Sequence, residues 1–448
     1  MPAAIFGGEP VQGGRTAEAE AVLPASSPVS SASKDLTGSR CLPTVPGVHV
    51  LFVHRNFPAQ FGYLAGELAR RNGWRCTFVS ETEPGEAAGI EKIQYRLSGD
   101  GGEHGYLLTR VIEEDVRHAA AVYERLKPLR DSLRPDLIVG HSGLGPTLFL
   151  PDLFPATPLI SYFEDFYQPR RSAMAFRTDW PFSEKDRLGA RVVNATVLLD
   201  LEYCTAGYTP TRFQHGLLPT AYAGKVRVLH DGIDTNFWRR RENIPPHSAF
   251  SGPRIVTYVS RGLETLRGFD IFMKIAKRVY EAYPDVVFLV VGGEEAAYGD
   301  VKGLPETSFK EHVLNQDHYD LEKIQFLGIL APEVLVQILS MSDLHIYLTA
   351  PFALSWSLLN AMACGCVVLA SDTAPVSEVI TSGHNGILRD FFDVEGFADA
   401  AVGVLRDPRS YRDLGRAAVR TVREGFSMDV AVPRMTSFYE EVAAGAFR

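Results

Sequence analysis

Residues 349–366 read TAPFALSWSLLNAMACGC, and this stretch decides the fold. The apolar run before it, Leu344-His-Ile-Tyr-Leu348, has the character of a buried strand. It ends at Thr349-Ala-Pro351. A small, hydroxyl-bearing turn follows, Ala353-Leu-Ser-Trp-Ser357, and then an apolar helix from Leu358 to Cys364 that stops at Gly365. Strand, tight turn and helix N-terminus together make a place for an anion. The first N–H groups of a helix have no internal partner, and the dipole adds partial positive charge. A ligand phosphate is the expected occupant, although an ordinary βα unit of a parallel sheet would carry the same pattern.

A second βα unit carries cations. Residues 254–270 read RIVTYVSRGLETLRGFD, a strand from Arg254 to Ser260 rich in β-branched residues. Arg261 sits where that strand ends, and Arg267 precedes Gly268 and a helix starting near Asp270. Two permanent cations on one βα loop suit bidentate contacts to a diphosphate, or else decorate a solvated loop.

Outward from these units the chain alternates strand and helix, as a parallel doubly wound α/β sheet does. A buried strand opens at Gly47–Val53, the loop His54-Arg-Asn-Phe-Pro58 follows, and an amphipathic helix runs over 60–72. Further strands are expected over 75–80, 135–139, 159–163 and 207–209, with helices over 113–133 and 185–206. In such sheets ligands bind beyond the carboxyl ends of the strands. His54, His141 and Glu164 fall there. The second domain repeats the pattern with strands over 254–260, 286–291, 324–326, 344–348 and 366–370. Helices are expected over 270–283, 332–340, 355–364, 375–382 and 393–406.

Length and composition set the frame. At 448 residues two domains are the default, and 46% hydrophobic residues suffice for full cores. The net charge of −9 includes no basic block, which argues against a nucleic-acid partner. Five cysteines, Cys41, Cys76, Cys204, Cys364 and Cys366, lack paired metal spacing. An odd cysteine count without a secretion signal fits a reducing cytoplasm. No apolar run approaches the ~18–20 residues of a membrane span. A peripheral membrane contact stays open, though no basic amphipathic helix demands one. Residues 1–46, rich in Ala, Ser, Gly and Pro, read as a disordered extension.

Several short stretches together resemble the retaining, nucleotide-sugar-dependent glycosyltransferases of family 4. In the C-terminal half these are HDGID (230–234), Arg261…Arg267-Gly268, FLGIL (326–330), SWSLLNAMACG (355–365) and SDTAPVSEVI (371–380). In the N-terminal half they are HRNFPAQF (54–61), HSGLG (141–145), YFEDFY (162–167) and VLLDLEYCTAGYTPT (197–211). The resemblance covers residues 48–445 and implies a GT-B fold of two Rossmann-like domains facing a central cleft. The expected divisions are an acceptor domain over 47–235, a nucleotide-sugar domain over 236–426, and a final segment, 427–448, whose helix crosses back to the first domain.

The resemblance assigns Arg261 and Arg267 to the donor diphosphate. It places Ser355, Trp356, Ser357, Leu358, Leu327, Asn360 and Glu378 around the donor, with a helix cap as the alternative role of Glu378. Glu164 and His141 are candidates for the reacting centre, with a structural role at a domain interface as the alternative. His54, Asn56, Phe57 and Tyr167 are candidates for the acceptor. The aromatic residues Phe163, Phe166, Tyr167, Trp180 and Phe182 suit stacking on an acceptor ring or, equally, a core. One departure stands out. The E-x7-E pair of the family falls here on Phe352 and Asn360, so neither position carries a carboxylate. The donor base is expected to be uracil or guanine, and the acceptor a small soluble nucleophile or a growing saccharide. The chain contains no D-x-D triad, so no metal or other cofactor is expected. Two alternatives remain open: a GT-B phosphorylase or epimerase acting on sugar phosphates, and a non-catalytic sugar-nucleotide-binding partner of another transferase.

Overall fold

Strand β1 (His49–Val53, HVLFV) is buried at every position, as a central parallel strand covered on both faces must be. Its one polar side chain is satisfied: His49 Nδ1 donates to the Leu133 carbonyl at 2.7 Å, and Nε2 lies 2.8 Å from the Thr77 hydroxyl. The computed structural model describes residues 47–82, 87–98, 106, 108–242, 252–295 and 304–447. The expectation for residues 1–46 lies outside the described residues.

Beside β1 lie β2 (Arg75–Ser80), β3 (Ile90–Gln94), β4 (Leu137–His141), β5 (Leu159–Tyr162), β6 (Ala206–Thr209) and β7 (Val226–Val228). They form one parallel sheet in the order β3-β2-β1-β4-β5-β6-β7. The second sheet uses β8 (Arg254–Gly262), β9 (Val286–Gly293), β10 (Ile324–Gly328), β11 (Leu344–Tyr347), β12 (Val368–Ser371) and β13 (Ile387–Arg389). Its order is β10-β9-β8-β11-β12-β13, again parallel. Strand order reverses between β1 and β4 in the first sheet and between β8 and β11 in the second. A crevice opens at such a reversal, beyond the carboxyl ends of the strands. His54 and His141 stand at the first reversal. Arg261 and Thr349 stand at the second.

The helix Met428–Ala443 belongs to the first domain's core although it ends the chain. Val432, Met435, Phe438, Tyr439 and Val442 pack with Val50, Phe52, Phe78 and Tyr208. An isolated bridge between Ile233 and Ser427 joins the two crossover segments side by side.

Several elements differ from the sequence reading. The helix expected over 113–133 runs over Arg110–Leu126, then tightens to a 3-10 turn at Lys127–Leu129 and a final turn at Arg130–Leu133. Pro128 explains the break, because it has no N–H to continue the ladder. The helix expected over 375–382 is the single turn Ala374–Ser377. A helix over Arg412–Gly425 was not anticipated. Its buried face is limited to Gly415, Ala417, Ala418 and Val422, so few large apolar side chains mark it.

Candidate active site

The second domain supplies its cations from the β8 loop. Arg261 is exposed at the end of the strand. Arg267 is different: only 5% of it is exposed, so it is part of the interior and not a solvated loop residue. Its Nη1 donates to Thr349 Oγ1 at 2.8 Å, to the Ala353 carbonyl at 3.2 Å and to Tyr347 Oη at 3.3 Å. Arg267 therefore stitches its own loop to the 349–353 turn. The next residue, Gly268, has φ +63°, and a Cβ there would lie 2.9 Å from both Leu348 and Phe391, so only glycine fits. The Leu266 carbonyl accepts from Ala350 N at 2.7 Å and completes the junction.

The turn then starts the helix Trp356–Ala363. Ser355 is its N-cap, accepting from Ser357 N at 3.2 Å, while its own N–H donates to Tyr347 Oη at 3.1 Å. Trp356 is 41% exposed, whereas Leu358 is wholly buried. One turn along, Asn360 is 8% exposed, and among the described residues its Oδ1 has no hydrogen-bond partner. Leu327 is half-buried against Ile338 and Leu339 at the end of β10. Phe352, in place of a carboxylate, packs with Ala173, Leu266, Ala350 and Ala353. Its ring lies 5.9 Å from the Arg267 guanidinium.

The first domain brings His54, His141 and Glu164 together. The imidazoles of His54 and His141 meet edge to face at 5.4 Å, and His141 meets Tyr162 at 5.1 Å. His141 Nδ1–H donates to the Ser142 carbonyl at 2.7 Å, which turns Nε2 towards Glu164 Oε2 at 3.5 Å. With Nδ1–H committed, this contact is attractive only when a proton also sits on Nε2. Burial alone would raise the Glu164 carboxyl. The hydrogen bond and charge of His141, together with the Arg267 charge from the other domain, hold it below the ordinary carboxylate range. Burial lowers His54 well below the usual histidine range, with the neighbouring His141 adding to the effect. Asp165 is pushed up to about 7 by burial and by the Glu164 charge.

Other sequence candidates lie elsewhere. Asn56 N–H donates to His54 Nδ1 at 2.9 Å, closing the loop on itself. Phe57 packs edge-on against Phe78 at 4.9 Å beneath the Lys92 ammonium. Tyr167 is buried with Val111, Met174, Ala190 and Val193, its backbone bracketed by the Asn194 amide. Phe163 and Phe166 are core residues too. Glu378 directs its carboxylate to the first domain, accepting from Phe213 N at 2.6 Å and Arg212 N at 2.9 Å. His230 accepts from Gly232 N at 2.9 Å and so shapes the turn between the domains.

Two buried residues that the sequence reading did not single out shape the first domain's loops. Arg55 donates to the Leu144 carbonyl at 2.6 Å, to Glu114 at 2.8 Å and to Asp115 at 2.7 Å. Asp200 accepts from Gly143 N at 3.1 Å and from the Thr147 hydroxyl at 2.7 Å. Both lie inside stretches that carried the family resemblance. Their partners are remote in sequence, so no local signal marks them. Among the described residues no group of three or more His, Cys, Asp or Glu is placed to hold a metal ion. No described helix is long and apolar enough to cross a membrane.

HepE of Anabaena in complex with UDP-glucose superposes with a TM-score of 0.64 at 16% identity, covering 88% of this chain and 99% of that one. Sucrose-phosphate synthase from Thermosynechococcus elongatus gives 0.67 at 18% identity over 89% and 99%. At such identities the likeness concerns the fold, and the fold is GT-B. In sequence, N-acetyl-alpha-D-glucosaminyl L-malate synthase of Bacillus anthracis is 28% identical over 220 residues, 48% of this chain and about half (54%) of the relative. Phosphatidyl-myo-inositol mannosyltransferase of Propionibacterium freudenreichii subsp. shermanii is 23% identical over 316 residues, 70% of this chain and 72% of the relative. Residues 72–238 match the glycosyl transferase family 4 group and residues 239–421 match glycosyl transferases group 1. The chain belongs to the group 1 glycosyltransferases of family 4.

Proposed function

We propose that this protein transfers a glycosyl group from a nucleoside diphosphate sugar to an acceptor hydroxyl, with retention at the anomeric carbon and without a metal ion. The observation that carries the reading is the placement of Arg267. This buried cation joins the β8 loop to the turn before the helix Trp356–Ala363, and its charge reaches Glu164 in the opposite domain. When the bond from sugar C1 to the diphosphate oxygen breaks, negative charge gathers on that oxygen. Arg261, Arg267 and the helix N-terminus meet it with preorganised positive charge. The acceptor oxygen bonds to C1, and its proton leaves to a nearby base or to the departing phosphate. Glu164, kept ionised beside His141, is placed to orient the reacting sugar or the acceptor hydroxyl. Asn360 offers an unused acceptor for a ribose hydroxyl in place of the missing carboxylate.

The relatives' names mention L-malate and phosphatidyl-myo-inositol, both hydroxyl-bearing molecules with an anionic group. A small polyol or hydroxy acid is therefore the acceptor class proposed, with a saccharide as the other arm of the test. The test is a thermal-shift screen over UDP-, GDP-, dTDP- and ADP-sugars, followed by transfer assays with the sugar that stabilises the protein. A uridine or guanosine donor is expected. Absence of both stabilisation and nucleotide-sugar turnover would overturn the reading.

A further inference from the structure

Residues 172–182 leave the first domain and lodge in the second. Ser172 caps a single turn, Ala173–Phe176, and the chain then presents Phe176, Arg177 and Trp180 across the cleft. Phe176 stacks on Phe392 at 5.4 Å and meets Phe391 edge-on at 5.1 Å. Trp180 packs edge-on against Phe309 and His312, each at 5.4 Å. Ala173 joins Leu266, Ala350, Phe352 and Ala353 in one apolar cluster. The rings that Phe176 and Trp180 meet all belong to the second domain, while Met174 stays packed in the first with Val111, Tyr167, Ala190 and Val193.

Arg177 lies between these anchors with its side chain fully buried. Nε and Nη2 donate to the two oxygens of Asp179, each at 2.8 Å. Nη2 also donates to Asp270 Oδ2 at 2.7 Å, and Nη1 donates to Asp270 Oδ1 at 3.2 Å and to the Thr265 carbonyl. A guanidinium has five N–H donors in a fixed plane, and here each has a partner. A buried cation in water-poor surroundings is tolerated only when paired and fully hydrogen-bonded, so the site is built for arginine. Thr265 and Asp270 flank Arg267 in the chain. The first domain's arginine thus grips the second domain's cationic loop on both sides of its buried cation.

We propose that residues 172–182 form an interdomain strap, and that Arg177 is a positioning residue which holds the Arg261–Gly268 loop in its diphosphate-binding geometry only while the two domains are closed on each other. Arg177 contacts no reacting atom in this account and acts through Thr265 and Asp270. Donor binding and domain closure are then one event. Diphosphate bound at the preorganised Arg267 favours the closed strap, and the docked strap raises diphosphate affinity in return. The inference rests on the donor-site reading above.

The test compares wild type with Arg177→Met/Asp270→Asn, which removes both buried charges together and leaves only the exposed Asp179 without its cation, where water can solvate it. Arg177→Ala alone would leave Asp270 buried without its cation and so risks misfolding. Small-angle scattering of the ligand-free proteins reads domain closure, and calorimetric titration with UDP and with GDP reads the loop. The expected result is a folded variant with a larger radius of gyration and a Kd at least tenfold weaker for whichever nucleotide wild type binds. A purely structural interface would change compactness or melting without moving the Kd. A variant as compact as wild type, or one that binds within twofold of it, overturns the inference. Failure of the donor-site reading looks different: wild type itself then binds neither nucleotide.

Discussion

Glu378 of the second domain caps a helix of the first. Its Oε1 accepts from Phe213 N at 2.6 Å and its Oε2 from Arg212 N at 2.9 Å, at the start of Arg212–His215. An anion at a helix N-terminus satisfies orphan N–H groups and meets the positive end of the dipole. Both oxygens are thereby engaged by the first domain's backbone. Glu378→Ala is expected to cost about 1–2 kcal/mol of stability, seen as a lower melting temperature, while nucleotide affinity changes little. Unchanged melting with lost nucleotide binding would return Glu378 to the donor site.

The two arginines are expected to separate in experiment because one is exposed and the other buried. Arg261→Ala removes a solvated cation, so melting should hold while kcat/KM falls by about 30- to 1,000-fold, or roughly 2–4 kcal/mol of transition-state stabilisation. Arg267→Ala should lose as much activity and also destabilise the fold. It strips the donor from Thr349, Tyr347 and Ala353, and a buried polar group left unpaired costs about 1–3 kcal/mol. Steady-state kinetics and thermal melting on the same preparations check both. Normal turnover in either variant would remove that residue from the diphosphate site.

Much of this architecture is legible because parallel strands buried on both faces leave continuous apolar runs, as in HVLFV and VVFLVVGG. The edge strand β3, IEKIQ, has only two apolar residues with Glu91 and Lys92 between them, and β13 is only three residues long, so neither stands out. His54, His141 and Arg261 are legible as strand-end residues because a doubly wound sheet dictates where its strands stop. The meaning of Arg177 was not legible. It depends on Asp270, 93 residues away, and RTDW in isolation reads as a polar loop. Trp180 and Tyr167 show the converse. Aromatic residues in a cleft-facing segment suited a ring-bearing ligand equally well, and the structure uses them to pack protein on protein.

Metal should be dispensable if the arginines and the helix N-terminus neutralise the leaving diphosphate. Turnover in excess EDTA is expected to stay within a few-fold of the untreated rate. Abolition by EDTA with recovery on adding manganese would reject the proposed electrostatics.

Asp165 gives the protein a pH dependence of definite sign. Burial and the Glu164 charge raise its carboxyl to about 7 in the folded state. The folded protein therefore keeps a proton that the unfolded chain has released above about pH 4. Stability from this group falls as pH rises from about 4 to 7 and is level beyond. Asp165→Asn is neutral throughout, so its melting temperature relative to wild type should rise across that window. In a Glu164→Gln background the neighbouring charge is gone, and the rise should complete at lower pH. Melting curves from pH 4.5 to 8.5 decide, and a gap that does not change with pH would refute the assignment.

Asn360 yields two effects of opposite sign from one substitution. Its Oδ1 is buried without a partner among the described residues, on the helix that begins at the proposed diphosphate site. A buried acceptor left unmet costs about 1–3 kcal/mol, so the empty protein carries that cost until a ribose hydroxyl donates to it. Asn360→Leu has similar bulk and no polar atom. It should raise the melting temperature of the ligand-free protein and weaken binding of the nucleoside diphosphate by about tenfold, the equivalent of one lost hydrogen bond of about 1.4 kcal/mol. The ribose is held alike before and after transfer, so KM for the donor should rise while kcat stays near wild type. Asn360→Glu is expected to tighten nucleotide binding, because a carboxylate makes the stronger hydrogen bond to a hydroxyl. Melting, calorimetry and kinetics on the two variants test the reading together. A destabilised Leu variant with unchanged nucleotide affinity would mean that Asn360 serves the helix and not the ligand.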